Sequence, residues 1–387
     1  MKKKFPILLM VFVFGFISCQ KEGVEVEYKY YENYAVISEH LDLPGAPLSY
    51  KVEFPEYYRT ANSDFDPDLA TLGRVLFYDT NLSKDGEISC ASCHKQEIGF
   101  SDDVAFSKGS EGLETDRNSL ALGAVFNFNE YYGPGRIPFF WDNRVSTVQD
   151  QSSQTFANVK EMNMEMHEVV AAVKEQPYYP PLFKAAFGDV NSTGIISDQN
   201  ILDAIGEFVN SMTNADSKFD GELTKRYKED GRTYISQRDL NSIAGEEFAG
   251  FSVSENRGKK LYMANCASCH SETSGAPPVL AANNGLDMNY ADKGESNGRF
   301  KVPTLRNIAL TAPYMHDGRF ATLEEVVDHY SNGIQNHPSL DFKLKSGGTA
   351  KKFNFTPEDK DALLAFFETL TDEKMLTDVR YSDPFKK

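Results

Sequence analysis

Two copies of the pentapeptide Cys-Ala-Ser-Cys-His stand in the sequence, at residues 90–94 and 266–270. In a Cys-x-x-Cys-His motif the two thiols form thioether bonds to the vinyl groups of a haem, and the histidine becomes the proximal iron ligand. Cys-x-x-Cys pairs also hold zinc or carry out thiol redox chemistry, but here a histidine follows directly both times. We therefore predict two covalently bound haem c groups. The residues that would hold them are Cys90, Cys93 and His94 for the first, and Cys266, Cys269 and His270 for the second.

The N-terminus has the pattern of a secretory signal peptide. Three lysines precede an apolar run from residue 5 to 17, which is too short to span a bilayer and stops at Ser18-Cys19. The sequence at this point is similar to a lipobox, which would make Cys19 the lipidated residue; the alternative is an ordinary signal peptide with an incidental cysteine. Of the five cysteines, four would carry haem and one lipid, so none is left for a disulfide. We expect a periplasmic or cell-envelope protein of the Gram-negative type, attached to a membrane through the lipid alone.

The net charge of −17 indicates an acidic surface. An acidic surface would steer a basic partner, such as a small basic cytochrome, by long-range attraction. The alternative is that the charge serves solubility alone. No basic stripe in the sequence indicates a nucleic-acid partner.

The elements that position the motifs are predicted to be helices. Apolar residues recur at helical spacing from Asp66 to Tyr78, where Asp66 suits the cap and Pro67 the first turn. Further helices are predicted at 200–223, 256–263, 323–330 and 357–370. Residues 20 to about 60 show no clear period and are predicted to form a tether and a strap over the surface. The polar stretch 225–239 is the predicted domain boundary.

The two halves of the chain repeat one another around the two motifs. The matching segments are Gly73-x-x-Leu76-Phe77 with Gly258-x-x-Leu261-Tyr262, Arg117-Asn118 with Arg306-Asn307, and residues 140–144 with 315–319. Such a duplication predicts a mainly α fold of two cytochrome c-like helical domains, each with one covalent haem, related by pseudo-two-fold symmetry. The predicted limits are 1–18 for the signal peptide, 19–60 for the tether and strap, 61–225 for the N-terminal haem domain and 226–387 for the C-terminal haem domain.

From about residue 60 to 372 the sequence resembles the bacterial di-haem cytochrome c peroxidases and their MauG-like relatives. The resemblance rests on both haem motifs and on four further segments, which are specific together and weak singly. These segments are 139–144 (Phe-Phe-Trp-Asp-Asn-Arg), 301–307 (Lys-Val-Pro-Thr-Leu-Arg-Asn), 310–318 (Leu-Thr-Ala-Pro-Tyr-Met-His-Asp-Gly) and 322–325 (Thr-Leu-Glu-Glu).

The resemblance implies that the N-terminal haem is the peroxidatic one. The family places a glutamine and a catalytic glutamate ten and twenty residues after a tryptophan, which here are Gln151 and Glu161 after Trp141. A carboxylate beside the iron can move a proton from the inner to the outer peroxide oxygen during O–O cleavage. Without the resemblance, Glu161 would be interpreted as a surface charge. Trp141 would be interpreted as core packing, whereas in the family the matching tryptophan relays electrons between the haems.

Two departures from the classical peroxidases concern the distal side of each haem. Some relatives cap the N-terminal haem with a histidine about sixteen residues after the proximal one; Ser110 stands here, so we predict an open iron. The classical distal methionine of the C-terminal haem is replaced by Tyr330, the residue that MauG-like enzymes use there. An anionic tyrosine ligand would lower the potential of the iron. Met315 is the rival ligand.

The family also holds calcium between its domains, through an asparagine side chain and two backbone carbonyls. The matching positions are Asn118, Thr311 and Pro313, and oxygen donors suit this hard cation. The residues alone would not suggest a metal. The resemblance also admits a homodimer. No role is predicted for His40, His167, His329 or His337.

Three functions follow from these interpretations. The first is a di-haem peroxidase, of the cytochrome c peroxidase type, which reduces hydrogen peroxide to water with electrons from a donor cytochrome or a similar redox protein. The second is a MauG-like oxidase that acts on a partner protein. The third is a di-haem electron carrier without catalysis; Gln151 and Glu161 speak against it, because a carrier needs no acid–base group over an open iron.

Overall fold

The computed structural model describes residues 30–52, 54–55, 57, 64–132, 137–188, 195–231, 237–271, 273 and 277–387. The predicted signal peptide and Cys19 lie outside these residues. Within the described ranges, none of the helices combines the length and the apolar character needed to cross a membrane.

The described chain is mainly helical, as predicted. Its α-helices, in chain order, are α1 (Tyr34–His40), α2 (Pro67–Tyr78), α3 (Cys90–Cys93), α4 (Val125–Tyr132), α5 (Val148–Ala157), α6 (Met166–Glu175), α7 (Tyr179–Phe187), α8 (Asp198–Ser211), α9 (Lys218–Asp230), α10 (Gln237–Gly245), α11 (Val253–Asn265), α12 (Leu323–Asp328) and α13 (Pro357–Glu368). Short 3₁₀ turns lie at Thr80–Leu82, Gln96–Ile98, Ser110–Gly112, Phe342–Leu344 and Met375–Thr377, and a π-helical turn at His329–Gly333.

Two antiparallel strand pairs complete the described structure. Strand β1 (Ala281–Ala282) pairs with β2 (Phe300–Lys301), with Ala281 opposite Lys301. Strand β3 (Lys345–Ser346) pairs with β4 (Thr349–Ala350), with Lys345 opposite Ala350. Each strand is only two residues long, so the pairs hold neighbouring loop segments together and do not form a larger sheet.

Local sequence explains where the long helices begin. The Asp66 carboxylate accepts from the backbone N–H groups of Asp68 and Leu69 at the start of α2. Ser252 and Glu255 form a reciprocal capping box at the start of α11, and Thr356 and Asp359 form one at the start of α13. Each cap satisfies backbone donors that the first helical turn leaves without partners.

The apolar side chains form two separate cores. The first lies among α2, α5, α6, α7 and α8, and the second among α9, α10, α11 and α13. The C-terminal segment returns to the first core through Met375 and Tyr381. Helix α9, which crosses the predicted boundary at residue 225, contributes Phe219 and Leu223 to the second core. The domain limits themselves remain predictions.

The same helix crossing occurs once in each core, next to each haem motif. A Cβ added to Gly73 of α2 would lie 1.9 Å from the carbonyl oxygen of Ala204 in α8. A Cβ added to Gly258 of α11 would lie 1.8 Å from the carbonyl oxygen of Ala362 in α13. The repeated Gly-x-x-Leu-aromatic segments therefore mark two equivalent places where only glycine allows the helices to touch.

Several predicted elements need correction. The predicted helix at 200–223 is two helices, because the chain is extended at Met212 and α9 starts at a new cap, Ser217. The predicted helix at 323–330 ends as α-helix at Asp328 and continues as the π-helical turn. The predicted strap contains the short helix α1. The sequence does not indicate this helix, because the segment has no clear apolar period.

Candidate haem sites

The first motif is a single helical turn whose histidine is fixed by the chain that follows. Ser89 and Ser92 form a capping box around α3, and the His94 N–H donates to the Cys90 carbonyl at 3.0 Å. His94 Nδ1 lies 3.0 Å from the carbonyl oxygen of Phe100. A carbonyl only accepts, so Nδ1 carries the proton and Nε2 keeps its lone pair for a metal ion.

The second motif follows α11 directly and repeats this arrangement. His270 Nδ1 lies 2.8 Å from the carbonyl oxygen of Pro303, and the Tyr262 hydroxyl donates to the His270 carbonyl. Burial lowers the pKa of His270 to about 4 and also lowers the pKa of His94. Both imidazoles are therefore neutral, which is the form that ligates iron.

The four motif thiols are free and partly buried rather than paired. Burial raises the pKa of Cys90 and of Cys266 to about 12, and that of Cys93 to about 11. Within the described part of the chain, no group of three or more His, Cys, Asp or Glu side chains could hold a metal ion. This arrangement gives no support to a zinc interpretation of the motifs and suits covalent attachment of a cofactor.

A cavity of about 680 Å³ opens beside the first motif. Cys90, Cys93 and His94 line it, and so do Gln151 and Glu161. Its volume falls in the range of cofactor sites. Among the described residues that line it, His94 is the one histidine.

Lys301 supports the presence of an anionic group in this cavity. Its side chain lines the cavity, and its Nζ donates to the Pro138 carbonyl at 2.5 Å and lies 4.6 Å from the centre of the Phe128 ring. Burial lowers its pKa to about 7, and no carboxylate of the described residues forms an ion pair with it. A buried ammonium without a counter-ion is costly, and haem carries two propionates. The residues present thus fit a haem c. In the sequence, Lys301 stands out only as part of the family segment 301–307.

Glu161 is placed by the turn that follows α5. Asn158 Nδ2 donates to Glu161 Oε1 at 2.7 Å, and Gln151 Nε2 donates to Thr155 Oγ1 at 2.9 Å. Burial raises the pKa of Glu161, although hydrogen bonds from Thr155 and Asn158 oppose the rise. The side chain lines the cavity, so it is not the surface charge that composition alone would suggest.

Ser110 lies directly against the backbone of Glu161. The Ser110 N–H donates to the Glu161 carbonyl at 2.8 Å, and Ser110 is completely buried. The position where some relatives carry a distal histidine is therefore packed beneath the glutamate turn. This packing is compatible with the predicted open iron.

Trp141 lies where the two halves of the chain meet. Its Nε1 donates to the Asn118 carbonyl at 2.8 Å, and its own carbonyl accepts from the Lys301 N–H at 2.7 Å. Its ring is edge-on to His316, with 6.5 Å between ring centres, and His316 stacks on Phe300 at 3.7 Å. The indole is thus held rigidly against the second half.

The loops that carry Trp141 and His316 have the same local structure. An antiparallel bridge closes each loop, between Phe139 and Val145 in one and between Tyr314 and Phe320 in the other. The two side chains occupy matching positions of the repeat and meet in space. The sequence aligns the two loops but indicates no role for His316, because its stacking depends on the tertiary structure.

The two candidate ligands of the second iron, Tyr330 and Met315, both contact the side chain of Asn284. Tyr330 lies in the π-helical turn; burial raises the pKa of its hydroxyl to about 12, and the Cys266 and Cys269 thiols contribute to that rise. The Met315 sulfur accepts from Asn284 Nδ2 at 3.6 Å, and Met315 lines the cavity of the first motif. Tyr330 therefore stays the predicted ligand and Met315 its rival.

The three predicted calcium ligands, Asn118, Thr311 and Pro313, all line the cavity beside the first motif. The Asn118 amide already donates to the Val104 carbonyl at 3.1 Å, and the Asn118 N–H donates to the His316 carbonyl at 2.9 Å. Calcium therefore stays a prediction.

Two cysteine pairs, each followed by a histidine whose Nδ1 is held by a carbonyl and whose Nε2 is free to bind iron, define a c-type cytochrome with two haems. A family model described as di-haem cytochrome c peroxidase matches residues 67–228, and one described as cytochrome c matches residues 255–371.

Curated relatives carry two kinds of name. The methylamine utilization protein MauG of Methylorubrum extorquens is 30% identical over 320 residues, which cover 79% of each chain. The cytochrome c551 peroxidase of Nitrosomonas europaea is 29% identical over 324 residues, which cover 79% of this chain and 81% of the relative. The chain belongs to the family of di-haem cytochrome c peroxidases and MauG proteins.

Solved structures share the fold. A MauG-like protein associated with microbial copper homeostasis matches with a TM-score of 0.66 and 31% identity, over 89% of this chain and 98% of that one. The di-haem peroxidase BthA of Burkholderia thailandensis matches with a TM-score of 0.63 at 20% identity, over 89% of this chain and 98% of that one. The predicted family, the predicted pair of haem c groups and the mainly helical fold with two cytochrome c-like domains are confirmed.

Proposed function

We propose that the protein reduces hydrogen peroxide to water at the haem held by His94, with electrons that reach the haem held by His270 from a small redox protein. The observation that carries this proposal is the position of Glu161, half-buried on the wall of the cavity that His94 also lines. Its hydrogen-bond partners there, Asn158 and Thr155, are neutral, so the carboxyl group can take up and release a proton beside the iron.

The chain's own residues supply proton transfer and orientation. When bound, haem supplies the redox-active iron for cleavage of the O–O bond. Glu161 accepts the proton of one peroxide oxygen and returns it to the other, so that the leaving oxygen departs as water. The hydrogen bond from Asn158 fixes one carboxylate oxygen, and the raised pKa brings the group closer to neutral pH, where both directions of transfer are efficient. Gln151 lines the same wall and can hold the peroxide or a water molecule.

Trp141 is proposed to carry electrons between the two halves. It lines the first cavity, and its ring contacts His316 of the second half. Because hydrogen bonds fix both its indole N–H and its carbonyl, the ring has one orientation, which suits a relay.

A second candidate function is the oxidation of a partner protein, as the name MauG among the relatives suggests. The observation in its favour is Tyr330, which lies near the thiols of the second motif. An anionic tyrosine ligand would stabilise oxidised iron and make a long-lived oxidised state accessible.

Stopped-flow spectroscopy with peroxide separates these functions when it is run without a donor and, in separate experiments, with reduced cytochrome c and with reduced plastocyanin. A peroxidase oxidises the donor rapidly, and its haem spectrum returns to the starting spectrum once the peroxide is consumed. Oxidised haems that persist for minutes and ignore the donor would favour the protein oxidase instead. An electron carrier would show no reaction with peroxide, and that result would refute both.

We further propose that a lipid on Cys19 attaches the protein to a membrane of the cell envelope. We also propose that calcium binds to Asn118, Thr311 and Pro313, which line the cavity. Mass spectrometry of the purified holoprotein tests both, through the mass of its N-terminal peptide and its bound calcium. An unmodified Cys19 or a calcium-free holoprotein would contradict the respective proposal.

A further inference from the structure

A lysine-rich hairpin lies on the surface beside the second haem motif. Lys343 Nζ donates to the Ser268 carbonyl at 2.7 Å, and Ser268 stands between the two attachment cysteines. Strands β3 and β4 continue from this contact and turn at Gly347-Gly348. We call residues 341–352 the basic hairpin.

The charge of the basic hairpin is opposite to that of the whole chain. Its side chains include four lysines and one acid, Asp341, whereas the chain carries a net charge of −17. The lysines of the hairpin are Lys343, Lys345, Lys351 and Lys352.

These lysines keep their charge available to a partner. Three of them donate to backbone carbonyls: Lys343 as described, Lys345 to Pro338 at 3.2 Å and Lys351 to Lys343 at 2.5 Å. Across the described residues, none of the four lysines forms an ion pair with a carboxylate. Asp341 accepts from the Lys343 N–H at 2.9 Å instead. Neutral carbonyls hold the ammonium groups in place without cancelling their field.

An aromatic side chain stands among these charges. Phe342 is 76% exposed, although an isolated phenylalanine gains stability when it is buried. A solvent-exposed aromatic residue with lysines next to it in the chain suits the apolar centre and polar rim of a protein-docking surface.

We propose that the basic hairpin is the docking surface for the protein that reduces the second haem, and that this partner is a small redox protein with acidic residues around an apolar contact. The inference rests on the proposed function, which makes this haem the electron acceptor. The basic hairpin therefore predicts an acidic partner, whereas the net charge of the whole chain predicts a basic one. Charges act over about 8 Å at physiological ionic strength, so the lysines at the contact outweigh acidic residues elsewhere on the surface.

The test measures reduction of the second haem by stopped-flow absorbance, without peroxide. The donors are reduced plastocyanin, an acidic copper protein, and reduced mitochondrial cytochrome c, a basic one. The test variant is Lys345→Glu with Lys352→Glu, which leaves the Lys343 contact with the haem motif intact. Lys174→Glu with Lys108→Glu, in the N-terminal half, is the matched control because it changes the net charge equally.

We expect the hairpin variant to lower the second-order rate constant for plastocyanin about tenfold, and to raise that for cytochrome c. The control variant should change neither by more than about twofold. The plastocyanin rate of the wild type should fall as ionic strength rises from about 0.05 M to about 0.2 M. Equal effects of both variants, or a wild type that cytochrome c reduces faster and that slows on charge reversal, would overturn the inference. Failure of peroxide turnover, in contrast, would refute the proposed function and leave these rates unchanged.

Discussion

Gly258→Ala perturbs the helix crossing that supports the second haem motif. The new Cβ would lie 1.8 Å from the Ala362 carbonyl oxygen and 2.8 Å from Phe366 Cβ. An ordinary contact needs about 3.4 Å or more. Helices α11 and α13 must therefore move apart by more than about 1 Å to make room for the new methyl group. Overpacking of this kind costs about 1–3 kcal/mol, and the better helix propensity of alanine offsets up to about 1 kcal/mol of it.

The assay is urea unfolding of the holoprotein, followed by circular dichroism and by haem absorbance. We expect a net destabilisation of about 1–2 kcal/mol, seen as a lower midpoint for the unit that holds the second haem. Gly221→Ala in α9 is the matched control, since a Cβ there meets no atom within 4 Å. It should stabilise the protein by up to about 1 kcal/mol. If Gly258→Ala were as stable as Gly221→Ala, the close helix contact would be wrong.

Three further predictions concern the two sites. Tyr330→Met should raise the reduction potential of the second haem, whereas Met315→Leu should leave it unchanged, as redox titration would show; the opposite pattern would make Met315 the ligand. The resting ferric protein should show one high-spin haem by electron paramagnetic resonance, and two low-spin haems would contradict an open first iron. Because burial raises the pKa of Glu161 and the carboxylate is the proton acceptor, peroxide turnover should fall as pH drops through a pKa above that of an ordinary glutamate. This limb of the pH profile should be missing in Glu161→Gln, and its persistence there would assign it to another group.

The sequence predicts the parts of the site that depend on local pattern. The Cys-x-x-Cys-His spacing determines the attachment residues, and Asp66 with the apolar period of α2 predicts the helix before the first motif to within one residue. The resemblance to the family, through the spacing from Trp141 to Glu161, identifies a residue that does line the cavity.

What the sequence does not predict depends on contacts between distant segments. Lys301 loses its hydration because the Phe128 and Phe139 rings pack over it, and neither ring is near it in sequence. The predicted helix at 200–223 breaks because the chain turns from one core to the other, where Asn214 and Asp220 bind Arg306. The helical period of the sequence does not show that α8 packs in the first core and α9 in the second.

Replacement of Glu161 tests the central claim most directly. Steady-state peroxide turnover with a reduced donor should be compared for wild type, Glu161→Gln and Glu175→Gln, which alters an exposed glutamate at the end of α6. Loss of the general acid–base group should lower turnover by about 10²–10⁴-fold in Glu161→Gln while both haems remain attached, and Glu175→Gln should match wild type. Near-normal turnover in Glu161→Gln would contradict the proposed chemistry of the first haem site.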